Sequence, residues 1–469
     1  MKTENKMLTG NVKKLVWSMG LPMVVSMVLQ ALYNIVDTAF VINMGEEGIN
    51  ANLALTYVFP VQIFMIAVGV GTGIGINVLL SRSLGEGNKD KVNRTAGNGL
   101  FIGIFIYIVF LLFGLLGSKA FISMQANGNE EAIQMGSDYL FIVCTLSFGQ
   151  VGYTIYERFL LATGKTMYST IGQIAGALTN VLLDYVFIYP LKMGVKGAAY
   201  ATILGQCLSL FLDALFHYTL NKEVRGGIKD LLPKKDIILG IFKLGIPAII
   251  MQGLLSIMML GVNLILGVSP NNQELMMGSF GIYYKIQQIP LFAAFGMSNA
   301  LISLVSANYE MKDSKRVKEL AKWVIIDTMI VALVFTVLFE ALANPISALF
   351  GLASGNSSTE IASTVISAIR IASIGFIFMA VSVSCQGVLQ GLRYVYSPVI
   401  TSLLRLAIFL FPLVYLFSLN ENVSTIFWLS FPIAEILTSI ISYFITRKQL
   451  KASVSKIEVK ENNLQASLS

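Results

Sequence analysis

The sequence predicts an all-α membrane protein of twelve transmembrane helices in two pseudo-symmetric six-helix lobes. Three observations carry this. Of the 469 residues, 55% are hydrophobic and 13% charged, with a mean hydropathy of +0.73, whereas a soluble domain carries about 25% charged residues. Twelve apolar stretches long enough to cross a bilayer recur along the chain. Two sequence patterns return at one fixed shift of 225 residues.

The apolar stretches fall at 14–44, 50–81, 95–117, 133–161, 166–190, 195–219, 237–267, 275–306, 319–343, 360–390, 396–418 and 423–446. They are continuous, whereas a transmembrane barrel gives alternating segments of about ten residues, so they read as helices. The basic, polar stretch before the first of them leads into a full-length span and has no cleavage pattern. Cys144, Cys207 and Cys385 all lie in apolar runs and read as small packing residues, not a disulfide framework. The single histidine, His217, cannot build a metal site and is placed at the interface.

Lys and Arg set the orientation. Of 33, 26 fall in the termini and the alternate connections that would share their side, Arg158 included. Lys119, Lys192 and Lys196 fall on the other side, and Lys243, Lys285, Arg370 and Arg405 lie within spans. Both termini are therefore expected in the cytoplasm, with anionic lipid and not nucleic acid as the partner of the positive charge. The longest link, Asn221 to Asp236, divides the spans six and six. This gives an N-lobe (1–220), a cytoplasmic linker (221–236), a C-lobe (237–447) and a cytoplasmic tail (448–469). "SMGLPMVV" (Ser18–Val25) matches "KLGIPAII" (Lys243–Ile250), and "SRSLGEGNKDKV" (Ser81–Val92) matches "SANYEMKDSKRV" (Ser306–Val317) at the same shift. An even number of spans per copy makes these parallel repeats, an arrangement common among secondary transporters. No Walker-type loop is present to use ATP.

Polar residues then recur on single helix faces: Gln173, Ala177, Asn180 and Asp184 on span five, and Thr202, Gln206, Ser209 and Asp213 on span six. Gln30, Asn34, Asp37 and Thr38 do much the same on span one. Such stripes must face the bundle interior or a wet cavity. Counting from the outer ends, Asp37, Asp184 and Thr202 each lie roughly 9–12 Å below the surface, with Asn180 one turn deeper. These four are expected at one level, and Asp213 is too deep to join them. Two carboxylates close together in low dielectric require either a held proton or a cation between them. Oxygen ligands from Asp, Asn and Thr suit Na⁺, whereas H⁺ needs only the carboxylates.

The second half differs. Gln252, Ser256, Met259 and Asn263 form a stripe without an acid on span seven. Methionines are abundant nearby and adapt to varied ligands. Glu435 is the one deep acid there, with Arg405, Arg370 and Lys285 as alternative partners. An anion opposite an oily, aromatic cavity suits cationic amphiphiles. "GVGTGIG" (Gly69–Gly75) lies within a span and reads as a close-packing element, not a phosphate loop. Pro22 and Pro247 occupy matching repeat positions and are expected to bend their spans.

"TNVLLDYVFIYPLKMGVKGAAYATILGQ" (Thr179–Gln206), "LGIPAIIMQ" (Leu244–Gln252) and "RSLGEGNKDKV" (Arg82–Val92) resemble the multidrug and toxic compound extrusion (MATE) transporters over essentially the whole chain. The resemblance implies rocker-type alternating access and export of organic cations against an inward flow of H⁺ or Na⁺, with no cofactor. It implies a cation site at Asp37, Asn180, Asp184 and Thr202, with Asp37, Asn180 and Asp184 as ligands if the ion is Na⁺. One branch of the family carries acids on spans seven and ten; here the corresponding span-seven position is Leu255 and span ten has no acid, so coupling is expected through the N-lobe. The pattern is closest to multidrug exporters of Gram-positive bacteria, which implies a monomer in the bacterial cytoplasmic membrane and a part in antibiotic resistance. Substrate contacts are expected from Gln30, Tyr33, Asn34, Gln206, Gln252, Ser256, Met259, Asn263 and Glu435. The alternative is a lipid-linked oligosaccharide flippase of the same superfamily, which would need a strongly basic cavity. An enzyme is not expected: no nucleophile–base or metal constellation is visible.

Overall fold

The computed structural model describes residues 9–42, 44, 48–124, 130–226, 228–353 and 359–466, and among these there is no strand. Among the described residues, ten helices are long and apolar enough to cross a membrane, or up to twelve spans if each of two bent pairs is one. Spans one to three are Val12–Ile42, Gly48–Gly85 and Lys89–Ser123. Span four is broken into Glu130–Thr145 and Phe148–Ala162, bent by 43°. Spans five and six are Thr166–Ile188 and Gly194–Leu220; spans seven to nine are Lys235–Gly267, Gln273–Glu310 and Ser314–Ala353. Span ten is broken again, Thr359–Ser373 and Phe376–Gly391, with a 52° bend. Span eleven runs Tyr396–Leu403, a π-helical Leu404–Leu410 and Phe411–Ser418, and span twelve follows from Val423. The stretches read as continuous at 133–161 and 360–390 are thus broken near their middles, at repeat-related places.

The repeat extends to local geometry. Spans two and eight are 38 residues each and start 225 residues apart. Spans three and nine open with one cap. Asn88 Oδ1 accepts from the Lys91 amide at 3.0 Å, and Asp313 Oδ1 accepts from the Arg316 amide at 2.9 Å. Each cap follows a left-handed residue, Gly87 at φ 68° and Lys312 at φ 59°. A capping side chain satisfies amides that the first turn cannot, so "GNKDK" and "KDSKR" terminate one helix and start the next in the same way.

The chain divides into two compact units: Leu29–Leu84 with Asn88–Ile249, and Met1–Val28 with Gly85–Gly87 and Ile250–Ser469. Each unit contains the first part of the other repeat's opening helix. Small residues make this packing possible. A methyl at Gly71 would come within 2.3 Å of Ile249 Cγ1, and one at Gly75 within 2.2 Å of the Ile241 carbonyl oxygen. At the repeat-related place in the other unit, a methyl at Gly296 would come within 2.6 Å of the Met23 carbonyl oxygen. Gly69 and Gly73 present the other face of the same span to Thr154 and Arg158. "GVGTGIG" therefore serves two neighbours with alternate glycines, as a close-packing element should.

Two connections are more ordered than their composition indicates. In the 221–236 link, Asn98 donates to the Asp230 and Leu232 carbonyls at 3.2 and 3.3 Å, and its Oδ1 accepts from the Lys234 amide at 2.7 Å. The last helix, Ser430–Ala466, carries span twelve on through the tail. It buries Val454 and Ile457, and Tyr394 donates to the Gln449 carbonyl at 3.2 Å.

Candidate functional site

Spans five and six meet along a seam of small residues. A methyl at Gly176 would lie 2.0 Å from Ser209 Oγ and 2.6 Å from the Gly205 carbonyl oxygen, and one at Gly205 would lie 2.6 Å from the Gly176 carbonyl oxygen. Ser209 Oγ donates to the Gly172 carbonyl at 3.0 Å. Glycines four apart let two helices approach at backbone distance, and the polar stripes of both helices are then pressed together.

At one end of this seam Asn180 Nδ2 donates to Thr202 Oγ1 at 3.4 Å, and Asp184, one turn further along span five, is fully buried. Span one is drawn to the same end. Tyr189 Oη donates to the Phe40 carbonyl at 3.2 Å, and the two rings meet edge to face with centroids 6.0 Å apart. The structure thus unites Asn180 and Thr202 and places Asp184 beside them. The side chains of Asp37, Tyr33 and Asn34 lie outside the described residues, although their backbone is helical. Gln30 and Gln206 are half-buried, and Gln206 Oε1 has no hydrogen-bond partner among the described residues. Among the described residues no group of three or more His, Cys, Asp or Glu could hold a metal ion.

On span seven, Gln252, Ser256, Met259 and Asn263 are all half-buried. Met259 packs beside an aromatic core that includes Phe280, Tyr283, Trp428 and Phe431. Glu435 is not alone: among the three alternative cations, Arg405 is its partner, through a direct Nη2–Oε1 ion pair. The π-helical turn of span eleven carries Arg405, and such turns recur at functional positions. Among the described residues, Glu435 Oε2 and the Tyr283 hydroxyl have no hydrogen-bond partner.

His217, near the end of span six, is enclosed by protein. It is 4% exposed and packed among Tyr156, Phe159 and Tyr218, with its Nδ1 3.3 Å from Asn221 Nδ2. Arg158, counted above with the connecting loops, is 2% exposed, and Glu157 beside it is 4% exposed. The bend of span four carries this pair inside the unit. The pattern "YERF" gives no periodic sign of this, since it stands at the end of an apolar run, where charges are normally solvated.

The family model for MatE matches residues 22–186 and 247–416. The chain is 25% identical over 446 residues to the multidrug export protein MepA of Staphylococcus aureus strain NCTC 8325, covering 93% of this chain and 95% of the relative. It is 23% identical over 361 residues to MepA of Staphylococcus saprophyticus, covering 76% and 78%. Among solved structures, it superposes with a TM-score of 0.90 on an outward-facing multidrug resistance MATE family transporter of the MOP superfamily, at 22% identity over 97% of this chain and 99% of that one. A MOP superfamily transporter from Pyrococcus furiosus, described as having a binding pocket of reversed polarity, gives 0.87 at 23% identity with the same coverage.

Proposed function

The chain belongs to the MatE family, and from that premise we propose that it exports organic cations and amphiphilic drugs by alternating access, driven by H⁺ or Na⁺ moving inward. The observation that carries this reading is Asp184, buried in an apolar span beside Asn180 and Thr202 on a glycine-packed seam. An intramembrane acid is expensive and functional by default. Its energy changes sharply between the empty and the cation-neutralised state, and a ligand shifts a conformational equilibrium only through such a difference. Asp37 is the proposed fourth member, since the Tyr189–Phe40 contact holds span one against span five three residues away. If the ion is Na⁺, Asp37, Asn180 and Asp184 supply its oxygen ligands.

Both termini are taken as cytoplasmic, following the distribution of Lys and Arg. The proposed substrate contacts are Gln30, Tyr33, Asn34 and Gln206 on one side, and Gln252, Ser256, Met259, Asn263 and Glu435 on the other. Glu435 attracts a cation only when Arg405 leaves it, so its role is conditional on movement of span eleven. A lipid-linked oligosaccharide flippase would need basic residues facing pyrophosphate; the seam of spans five and six presents acids instead. The test is efflux of a lipophilic cationic dye from vesicles given a Na⁺ gradient with the proton gradient collapsed, and then the reverse. Export under either gradient supports the reading, and export under neither overturns it.

A further inference from the structure

The far end of the five–six seam holds a second buried charged group that the coupling role leaves unused. Glu157 and Arg158 lie on the second half of span four, Gln173 on span five and Asp213 on span six. Gln173 Nε2 donates to Glu157 Oε1 at 2.9 Å, and Arg158 Nε lies 3.5 Å from Glu157 Oε2. Arg158 fits here because span two has Gly73 at the contact, where a methyl would come within 3.2 Å of Nε. Glu157 therefore has a donor or cation at each oxygen.

Asp213 has neither. It is 0% exposed, and neither carboxylate oxygen has a hydrogen-bond partner among the described residues. Its Oδ1 lies so close to Gly172 that a methyl there would come within 2.2 Å. Arg158 balances Glu157, so a charge on Asp213 would be uncompensated. Such a charge in hydrocarbon costs several kcal/mol, and Glu157 is close enough to add repulsion. One turn further along span six, His217 is enclosed by aromatic rings. Lys165 and Arg225 are the cations near that histidine, and Lys165 is paired with Glu223 at 3.2 Å.

We propose that Asp213, beside the Glu157–Arg158 pair, is a second proton-binding site: Asp213 holds one proton while Arg158 remains paired with Glu157. The step is simple protonation, with a proton from water adding to a carboxylate oxygen and no other bond changing. Gly172, against which Asp213 rests, is twelve residues before Asp184, or about 18 Å along the helix. Between them lie Ser209, Gly176, Asn180 and Thr202, so the two acids mark the ends of one polar seam. The second site stands on this geometry alone and holds whether Asp184 couples to H⁺ or to Na⁺.

The test is the infrared carbonyl band of protonated carboxylic acids in the purified full-length protein, followed against pH. A component of that band should be lost in Asp213→Asn and kept in Asp184→Asn. Should Asp213→Asn fail to fold, Glu157→Gln decides. It removes the repelling charge and frees Arg158, and both changes favour ionised Asp213, so the component should vanish at lower pH than in the wild type. A wild-type band in folded Asp213→Asn, or an unshifted one in Glu157→Gln, overturns the proposal. Failure of the export reading is distinguishable, because Asp184→Asn would then still transport dye whatever the band shows.

Discussion

The hydroxyl of Tyr189 donates to the backbone carbonyl of Phe40 at 3.2 Å, joining the end of span five to span one. The bond lies five residues beyond Asp184 and three beyond Asp37, so it positions the helix carrying each acid. Burial raises the Tyr189 phenol above its ordinary value of 10.0. The bond's contribution is therefore present below that value and is lost only as pH rises through the raised one. Tyr189→Phe keeps the edge-to-face ring and removes the bond, at a cost of about 1 kcal/mol. The melting temperature should fall by only about 2 °C, while dye efflux slows at every pH up to about 9.

Gly71 and Gly253 give a matched contrast. A methyl at Gly71 meets the Ile249 backbone nitrogen at 2.6 Å, whereas one at Gly253 meets nothing within 4 Å. Gly71→Ala should cost about 1–3 kcal/mol through forced displacement of span seven. Gly253→Ala should be neutral or stabilising by up to about 1 kcal/mol, because Ala is the better helix former. Thermal melting of the two purified variants checks the sign of each.

Glu435 is buried and paired with the half-buried Arg405, so removing the arginine leaves an uncompensated charge. Arg405→Met alone should destabilise by about 3–5 kcal/mol. Combining it with Glu435→Gln should restore most of that loss. A double-mutant cycle of melting temperatures reads the coupling directly, and additive effects would show that the pair does not act as one.

Asn98 holds the 221–236 link by three hydrogen bonds. Asn98→Ala leaves those backbone groups without their partner, at about 1–3 kcal/mol. Trypsin should then cut at Lys229, Lys234 or Lys235 several-fold faster than in the wild type, with the spans still intact.

Much of the molecule is legible in the sequence for identifiable reasons. Span length reports bilayer thickness, and the 225-residue shift aligns Pro22 with Pro247 and the Asn88 cap with Asp313. Asn180, Asp184 and Thr202 emerge because helical period and depth both constrain them. The exchange of opening-helix segments between units has no mark in composition, since it depends on Gly71 and Gly296 meeting residues far away in the chain. Glu157 and Arg158 are hidden because their burial follows from the bend in span four and the space at Gly73. Arg405 could not be told from Arg370 or Lys285 as the partner of Glu435. The choice is made by how spans eleven and twelve pack, thirty residues apart in the chain.

The most direct measurement of the account is dye efflux by Asp184→Asn in vesicles, under the gradient that drives the wild type. A neutral side chain of nearly the same shape removes the charge that the proposed coupling ion would neutralise. Normal expression, an unchanged melting temperature and efflux reduced by about tenfold or more are expected. Efflux at the wild-type rate would contradict a coupling role for Asp184.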